Sequence, residues 1–394
     1  MNEMDREIEV GRRATVRYGP VVLEPTVQRG ASAWRRIDVH WAGEGLSTVI
    51  VGDGASAALG ELWERSWHEA AIVADAQVMA LHGAALGERL ARLVRRVVCC
   101  EFPAGEPHKS RATKEQVEDR LLGQGFGRDG CVVALGGGIS LDLAGFVAAT
   151  YLRGVPSVYV PTSLLAQVDA ALGGKTGVNT PHGKNLVGAF HQPRLVLVDP
   201  GYLGTLPPSE RANGLAEVVK HAVIADAALF AWLEAHAHEL GAPSELDRHA
   251  ITRCLEIKAE IVAADEREQG RRAVLSFGHT IGHALEAASA HRLAHGQAVA
   301  VGMLVEGRVA CGCRSFSEAE LGRLRRVLGA LGLPDSVPEL DFERLRPFLG
   351  IDKKRRQAEL RLALPSAIGR ASPDPAEPTV AIALDALRRA WEAR

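Results

Sequence analysis

Long apolar runs are missing from this chain of 394 residues. None approaches the ~20 residues that a membrane-spanning helix needs, so a spanning protein is not expected. The opening residues, MNEMDREIEVGRR, are charged rather than apolar and carry no visible secretory leader. Neither sign of charge is in excess: 46 Lys plus Arg against 48 Asp plus Glu leave a net charge of -2. Nothing electrostatic therefore points to nucleic acid or a membrane surface as a partner. Cysteine is sparse, with Cys99, Cys100, Cys131, Cys254, Cys311 and Cys313, and three of the six lie in apolar strand-like runs. That pattern suits reduced thiols rather than a disulfide framework, and a cytoplasmic protein is expected. Cys311 and Cys313 lack a second cysteine pair to complete a metal site. There are no repeats, no G-x-G-x-x-G fingerprint and no H-E-x-x-H peptidase motif.

What is present is a globular composition, 47% apolar and 24% charged, over a length sufficient for two separate cores. The chain is organised around the stretch from Cys131 to Asp199. It opens on the apolar run CVVALGGG, turns on Gly136, Gly137 and Gly138, and continues as ISLDLAGFVAATYLRG. Strand, glycine turn and helix in that order present backbone N–H groups to a phosphate-bearing cofactor, so this part is read as holding a dinucleotide. Asp142 is expected in the first turn of the helix, where it meets a ligand or complements the helix dipole. Arg153 at the other end carries the same ambiguity. After the strand SVYVP come Thr162 and Ser163, two hydroxyl donors at a strand end. Asp169 to Lys175 reads as a polar loop, and Gly183 to Asn185 adds Lys184 and an amide. A lysine in an isolated loop is ordinarily solvated, but two beside glycines this close to a cofactor turn point to a second site, for phosphate or carboxylate.

Upstream, residues before about Thr15 read as a loose tail. Strands follow in STVIVGD, in EAAIVAD ending at Asp75, and in RVVCCEF ending at Phe102, with the helical stretch VMALHGAALGERLARLVRRV between the last two. Strand, helix, strand implies a parallel sheet with a right-handed crossover. Asp75 at a strand end meets a ribose hydroxyl or merely starts a turn, and position alone does not separate the two. Glu106 and Lys109 lie in a loop, PAGEPHKS, that carries little weight by itself.

From about Gly201 the strand signal fades. TLPPSERANGLAEVVKHAVI becomes a helix carrying Glu217 and Lys220 at i, i+3, on one face, where an intrahelical ion pair is the plain account. Lys258 falls on a later helix, ITRCLEIKAEIVAADERE, and Arg272 precedes SFGHTIGHALE. There His279 and His283 are four apart and share a helix face, and His295 follows after a short loop. Three histidines and an upstream glutamate are the material of a catalytic zinc with an open position. Lys353 and Lys354 form a pair in DKKRR, ahead of a strand-like ELRLALP and a final helix with Leu384, Leu387 and Trp391 on one face. The expected fold is α/β: a Rossmann-like parallel-sheet domain over residues 1–200, then a mostly helical metal- and substrate-binding domain over 201–394.

The motifs GGGISLDLAGFVAATYLRG, VPTSLLAQVDAALGGKTGVN, HGKNLVGAFHQP, GLAEVVKHAVI, IKAEIVAADEREQG, FGHTIGHALE, AHGQAVAVGM and DKK occur in the order and spacing of the 3-dehydroquinate synthase family of sugar phosphate cyclases, which the chain resembles from about Val49 to Pro365. The resemblance implies that Glu217, His279 and His295 are the ligands of Zn2+, or of Co2+ in its place. It assigns Asp75, Glu106, Lys109, Gly137, Gly138, Asp142, Thr162 and Ser163 to NAD. It assigns Arg153, Asp169, Lys175, Lys184, Asn185, Lys220, Lys258, Arg272, His283 and one of Lys353 and Lys354 to a phosphorylated seven-carbon sugar acid. The implied reaction converts 3-deoxy-D-arabino-heptulosonate 7-phosphate to 3-dehydroquinate by oxidation, phosphate elimination, reduction by the same NADH and aldol closure, with a homodimer as the expected assembly.

Three departures from the family pattern bear on the substrate. Ser276 stands where an asparagine is usual, Ala170 and Ala171 follow Asp169 in place of two serines, and Gln297 replaces a glutamate after His295-Gly296. An aminodehydroquinate synthase, acting on the amino analogue in antibiotic biosynthesis, keeps most of the same pocket and is the alternative. Retained Lys258, Arg272, His283 and DKK argue against the valiolone and deoxygadusol synthases, whose substrates lack the carboxylate, and the motifs of 2-deoxy-scyllo-inosose synthase are absent. A zinc- and NAD-dependent polyol dehydrogenase on the same scaffold is a further alternative, disfavoured because a polyol offers these lysines no anion.

Overall fold

The structure, a computed structural model, describes residues 6–10, 14–20, 34–41, 45–239, 245–290, 292–349, 360–372 and 377–393. The chain divides into two compact units. One reaches Leu206 and takes in Lys258–Ala263; the other comprises Pro207–Ile257 and everything from Ala264 onward.

The first unit is built on β1 (Arg6–Val10), β2 (Ala14–Pro20), β3 (Arg35–Trp41), β4 (Gly45–Val51), β5 (Glu69–Asp75), β6 (Arg96–Phe102), β7 (Gly130–Gly136), β8 (Ser157–Pro161) and β11 (Leu195–Val198). Their order in the sheet is β1-β2-β3-β4-β11-β8-β7-β5-β6. The six strands from β4 to β6 in that order are parallel, and every residue of β7, β8 and β11 is buried. Burial on both faces is why these strands read as unbroken apolar runs rather than as alternations. The loose tail expected before Thr15 is instead partly ordered: β1 pairs with β2, and β2 with β3, as an antiparallel extension of the sheet.

Helices α1 (Ala84–Leu90), α2 (Arg111–Gly123) and α3 (Gly138–Thr150) accompany the sheet. The helical run expected to continue to Val97 stops at Leu90. The amide of Arg95 already bonds the carbonyl of His68 and β6 starts at Arg96, so Leu93 and Val94 reach the core from a turn. A hairpin of β9 (Lys175–Thr180) and β10 (Gly183–Phe190) takes in Lys175, the end of the first expected loop, and Gly183–Asn185, the second. Glycines at 177, 183 and 188 erase the alternation that would have announced it. Gly188 and Gly177 are required there: a Cβ on Gly188 would lie 1.9 Å from the carbonyl oxygen of Thr176.

The second unit holds α4 (Pro208–Ala225), α5 (Ala227–His236), most of α6 (Glu245–Ala264), whose residues Lys258–Ala263 belong to the first unit, α7 (His279–Ala288), α8 (His295–Cys313), α9 (Glu318–Ala330) and α10 (Leu384–Glu392), with a small antiparallel pair of β12 (Leu360–Leu362) and β13 (Val380–Ile382). Leu387 and Trp391 of α10 are buried, as their spacing predicts. Among the described residues no helix is long and apolar enough to cross a membrane.

Asp226 joins α4 to α5. Its carboxylate accepts from the amides of Ala228 and Leu229 and from Arg253. Burial alone would raise its pKa, but these donors outweigh it and hold the carboxyl below its ordinary range. A depressed pKa means the stabilisation is full above the ordinary carboxyl range and is lost as pH falls through the folded value. Asp226→Ala is expected to cost about 1–2 kcal/mol at neutral pH, read as a lower denaturation midpoint, and the gap from the parent should close in acid. A gap independent of pH would contradict the role of the charge.

Candidate active site

Three elements of the helical unit bring a carboxylate and two imidazoles together. Glu217 lies mid-way along α4, His279 is the first residue of α7, and His295 is the first residue of α8. His279 Nε2 is 3.4 Å and His295 Nε2 3.3 Å from Glu217 Oε1. The ligand atoms of all three residues lie within 4.8 Å of one another. Donors about 2.0–2.1 Å from a tetrahedral ion stand about 3.3–3.4 Å apart, which is the spacing here. Glu217 is fully buried; its Oε2 is paired with the Lys220 ammonium, and its Oε1 faces the two imidazole nitrogens. A buried carboxylate oxygen between two imidazole nitrogens fits a divalent cation.

The charges agree. Burial would raise the pKa of Glu217, but the ammonium of Lys220 and the two imidazoles bring it well below the carboxylate range. Burial would lower that of His295, but the carboxylates of Glu217 and Glu286 push it up to about 9. Lys220, itself 1% exposed, is paired with Glu217 at i, i+3, so the ion pair expected from spacing is present within the metal-fitting cluster.

The elements meet closely because particular side chains tie them. Asn213, one helical turn before Glu217, accepts from the amide of Gly296 through Oδ1, at 3.0 Å. Gly296 has no room for a side chain: a Cβ would lie 2.4 Å from the Asn213 Cα. Buried Glu306 on α8 accepts from the amides of Gly278 at 2.7 Å and Ile281 at 3.2 Å, capping the helix start that carries His279. Gly296→Ala is therefore expected to displace His295 from Glu217 and weaken metal binding at least about tenfold, while the metal-free chain stays folded. Metal titration checks this, and an unchanged affinity would contradict it.

In the sheet unit the chain runs from β5 outward to β6 and then from β7 the other way to β8 and β11. The order reverses between β5 and β7, and in open α/β sheets ligands bind outside the carboxyl ends of strands at such a switch point. Asp75 ends β5, Gly136 ends β7, and Gly137 leads into α3 at Gly138. Oδ1 of Asp75 accepts from the amides of Gln77 and Val78, so it does cap a turn, while Oδ2 stands 3.4 Å from Ser140 Oγ. Asp142 falls in the second turn of α3, not the first. It faces Lys109 rather than complementing the dipole, and burial raises its pKa against the pull of that ammonium. Lys109 Nζ also reaches Asn185 Oδ1 at 2.6 Å. Asn179 joins the same group, donating to Glu106 Oε1 at 2.7 Å and accepting from the amide of Asn185 at 3.0 Å. Thr162 donates its amide to the Gly136 carbonyl, and Ser163 Oγ accepts from Ala166.

The candidate substrate residues are placed as follows. Buried Lys258 holds the carboxylate and carbonyl of Asp169, which sits in a helical turn rather than a loop. Arg153 and Asn185 both adopt left-handed backbone, with φ of 69° and 54°, a cost that clusters at functional positions. Lys175 opens β9 and is exposed, and Lys184 is half-buried on β10. In the helical unit Arg272 is 3% exposed, its amide bonded to Asp265 and its guanidinium to the Glu266 carbonyl. Ser276 closes the turn before α7, and His283 is exposed with its ring 5.3 Å from that of His279. Lys353 and Lys354 lie outside the described residues.

Two of the three departures acquire structural explanations. Gln297 Oε1 accepts from the amide of Ala294 and so caps α8, a task a neutral amide performs. Ala170 packs against the start of α3, where the Cβ position of Gly138 is 3.6 Å from its methyl. Asn179, Asn213, Glu286 and Glu306 were not singled out by sequence. The available signal was a lone polar residue on an otherwise apolar helix face, as for Glu306 in VGMLVEGRVA.

Models of the 3-dehydroquinate synthase N-terminal and C-terminal regions match residues 99–213 and 214–355. The 3-dehydroquinate synthase of Symbiobacterium thermophilum is 45% identical over 357 residues, 88% of this chain and 99% of its own. A solved 2-deoxy-scyllo-inosose synthase, complexed with carbaglucose-6-phosphate, NAD+ and Co2+, superposes with a TM-score of 0.83 at 25% identity, covering 91% of this chain and 99% of that one. A 2-epi-5-epi-valiolone synthase from Streptomyces hygroscopicus subsp. jinggangensis 5008, with NAD+ and Zn2+ bound, does so with a TM-score of 0.78 at 30% identity over 94% and 99%.

Proposed function

The chain belongs to the 3-dehydroquinate synthase family, and on that premise we propose that it converts 3-deoxy-D-arabino-heptulosonate 7-phosphate to 3-dehydroquinate with release of phosphate, using NAD and a divalent metal, zinc foremost. The observation that carries the proposal is the convergence of Glu217 Oε1 with the Nε2 atoms of His279 and His295 around one tetrahedral position. The curated relatives favour the hydroxy substrate over its amino analogue.

When bound, the metal supplies a Lewis acid for substrate hydroxyl oxygens, and NAD takes up and returns a hydride. Glu217, His279 and His295 would hold the metal. Asp75, Glu106, Lys109, Gly137, Gly138, Asp142, Thr162 and Ser163 would hold the dinucleotide, the backbone N–H groups at the start of α3 being donors suited to phosphate. The substrate carries a phosphate and a carboxylate. Arg153, Lys175, Lys184, Asn185 and Arg272 are proposed as the charge-assisted donors that two anions require. Asp169 restrains the Lys258 ammonium, and Asp265 restrains the Arg272 backbone, so those cations are pre-positioned rather than recruited. Lys220, Ser276, His283 and one of Lys353 and Lys354 complete the proposed substrate set.

Incubation with zinc, substoichiometric NAD and the seven-carbon phosphate substrate tests the proposal. Phosphate release in excess of NAD, with no net NADH absorbance, is expected. Stoichiometric NADH without phosphate would make the chain a polyol-type dehydrogenase instead.

A further inference from the structure

The metal-fitting cluster contains an acid that the proposed reaction does not use. Glu286 lies on α7, two helical turns after His279 and so on the same face. It is 4% exposed, and its Oε2 is 3.2 Å from His295 Nδ1. The other ring nitrogen of His295, Nε2, is the one that faces Glu217. His295 thus stands between two carboxylates, one on each nitrogen. A neutral imidazole carries a single ring proton, and a metal on the Glu217 side requires a bare Nε2. The proton then sits on Nδ1, directed at Glu286.

We propose, resting on the metal centre just described, that Glu286 is a positioning residue for it. By accepting the Nδ1 proton of His295, its carboxylate fixes the tautomer and the ring plane, and it raises the basicity of the ligating nitrogen. His279 is oriented differently: its Nδ1 is 3.1 Å from the backbone carbonyl of Phe277, an acceptor that no substitution removes. One ligand is held by the fold and the other by a replaceable charged side chain. Glu286 also places a second negative charge beside the site, so that with Glu217 a divalent ion is neutralised at close range. His283, Glu286 and His295 satisfy the spacing of a ligand group of their own, but the hydrogen bond from Nδ1 assigns Glu286 to orientation of His295 rather than to a second ion.

The test uses the full-length chain without NAD or substrate. Zinc affinity is measured by competition with a chromophoric chelator, and the visible absorption of the Co2+-loaded protein is recorded, for the parent, Glu286→Ala, Glu286→Gln and Glu286→Asp. Zinc binding is expected to weaken about 10- to 100-fold in Glu286→Ala. Glu286→Gln, which retains an acceptor but no charge, should lose less. The cobalt spectrum should shift in both, and Glu286→Asp should recover part of the affinity. Because Glu286 is not assigned to the substrate, saturating zinc should restore most of kcat, which a merely structural lesion would not allow. The near-isosteric Glu286→Gln keeps the experiment decisive should the alanine variant fail to fold. A folded Glu286→Ala that matches the parent in affinity and cobalt spectrum overturns this inference alone. So does a parent binding two zinc ions, one of them lost with Glu286, since that makes Glu286 a ligand. A parent that takes up no zinc overturns both this inference and the metal centre beneath it.

Discussion

Glu217→Gln is expected to leave a folded chain that no longer holds its metal and no longer turns over. The carboxamide matches the carboxylate in shape, so the packing of α4 is retained, but the charge that Lys220 and the two imidazoles surround is removed, and taking this counter-ion from buried Lys220 lowers stability by up to about 3–5 kcal/mol. Loss of an outer-sphere partner typically costs 10- to 100-fold in metal affinity. Loss of a ligand should exceed that range, beyond about 100-fold. If the metal contributes about 4 kcal/mol to the rate-limiting barrier, kcat at ordinary zinc falls by about a thousandfold. Metal content after dialysis and steady-state phosphate release check both halves. Full activity in a variant without metal would detach the chemistry from this cluster.

The second large effect concerns stability. Arg211 and Asp247 form an ion pair inside the helical unit, at 4% and 2% exposure. Such a pair stabilises little relative to a well-packed apolar pair, because desolvation offsets the attraction, but removing one partner takes this counter-ion from a buried charge. Arg211→Ala should therefore cost about 3–5 kcal/mol, read as the change in unfolding free energy by denaturant titration. The double variant Arg211→Met/Asp247→Leu should recover most of that loss. A double variant as unstable as the single one would show that the side chains matter through packing instead. Arg211 lies two residues before Asn213, so the single variant should also bind metal less tightly near its melting range.

The parallel strands were legible because burial on both faces leaves apolar runs such as CVVALG that few other structures produce. The β9–β10 hairpin was not, because its glycines answer to backbone approach and leave no alternating pattern. Asp142 illustrates a finer limit. Its place on the helix after the glycine turn could be read from sequence, but its pairing with Lys109, 33 residues away, depends on how the 106–109 loop lies beside α3. In the candidate metal centre the ligand types and the helical spacing of His279 and His283 were evident, and the family pattern singled out Glu217 and His295. What holds them was hidden: Asn213, Glu286 and Glu306 act through contacts between α4, α7 and α8, and an isolated Asn or Glu on a helix ordinarily faces solvent. Gln297 shows the converse, a departure that looked like a change of substrate and serves as a helix cap.

Anomalous diffraction from zinc-loaded crystals would locate the metal. One zinc peak is expected, bounded by Glu217 Oε1 and the Nε2 atoms of His279 and His295, each at about 2.0–2.1 Å, with a fourth position open. Zinc bound elsewhere in the chain, with these three side chains left uncoordinated, would contradict that expectation.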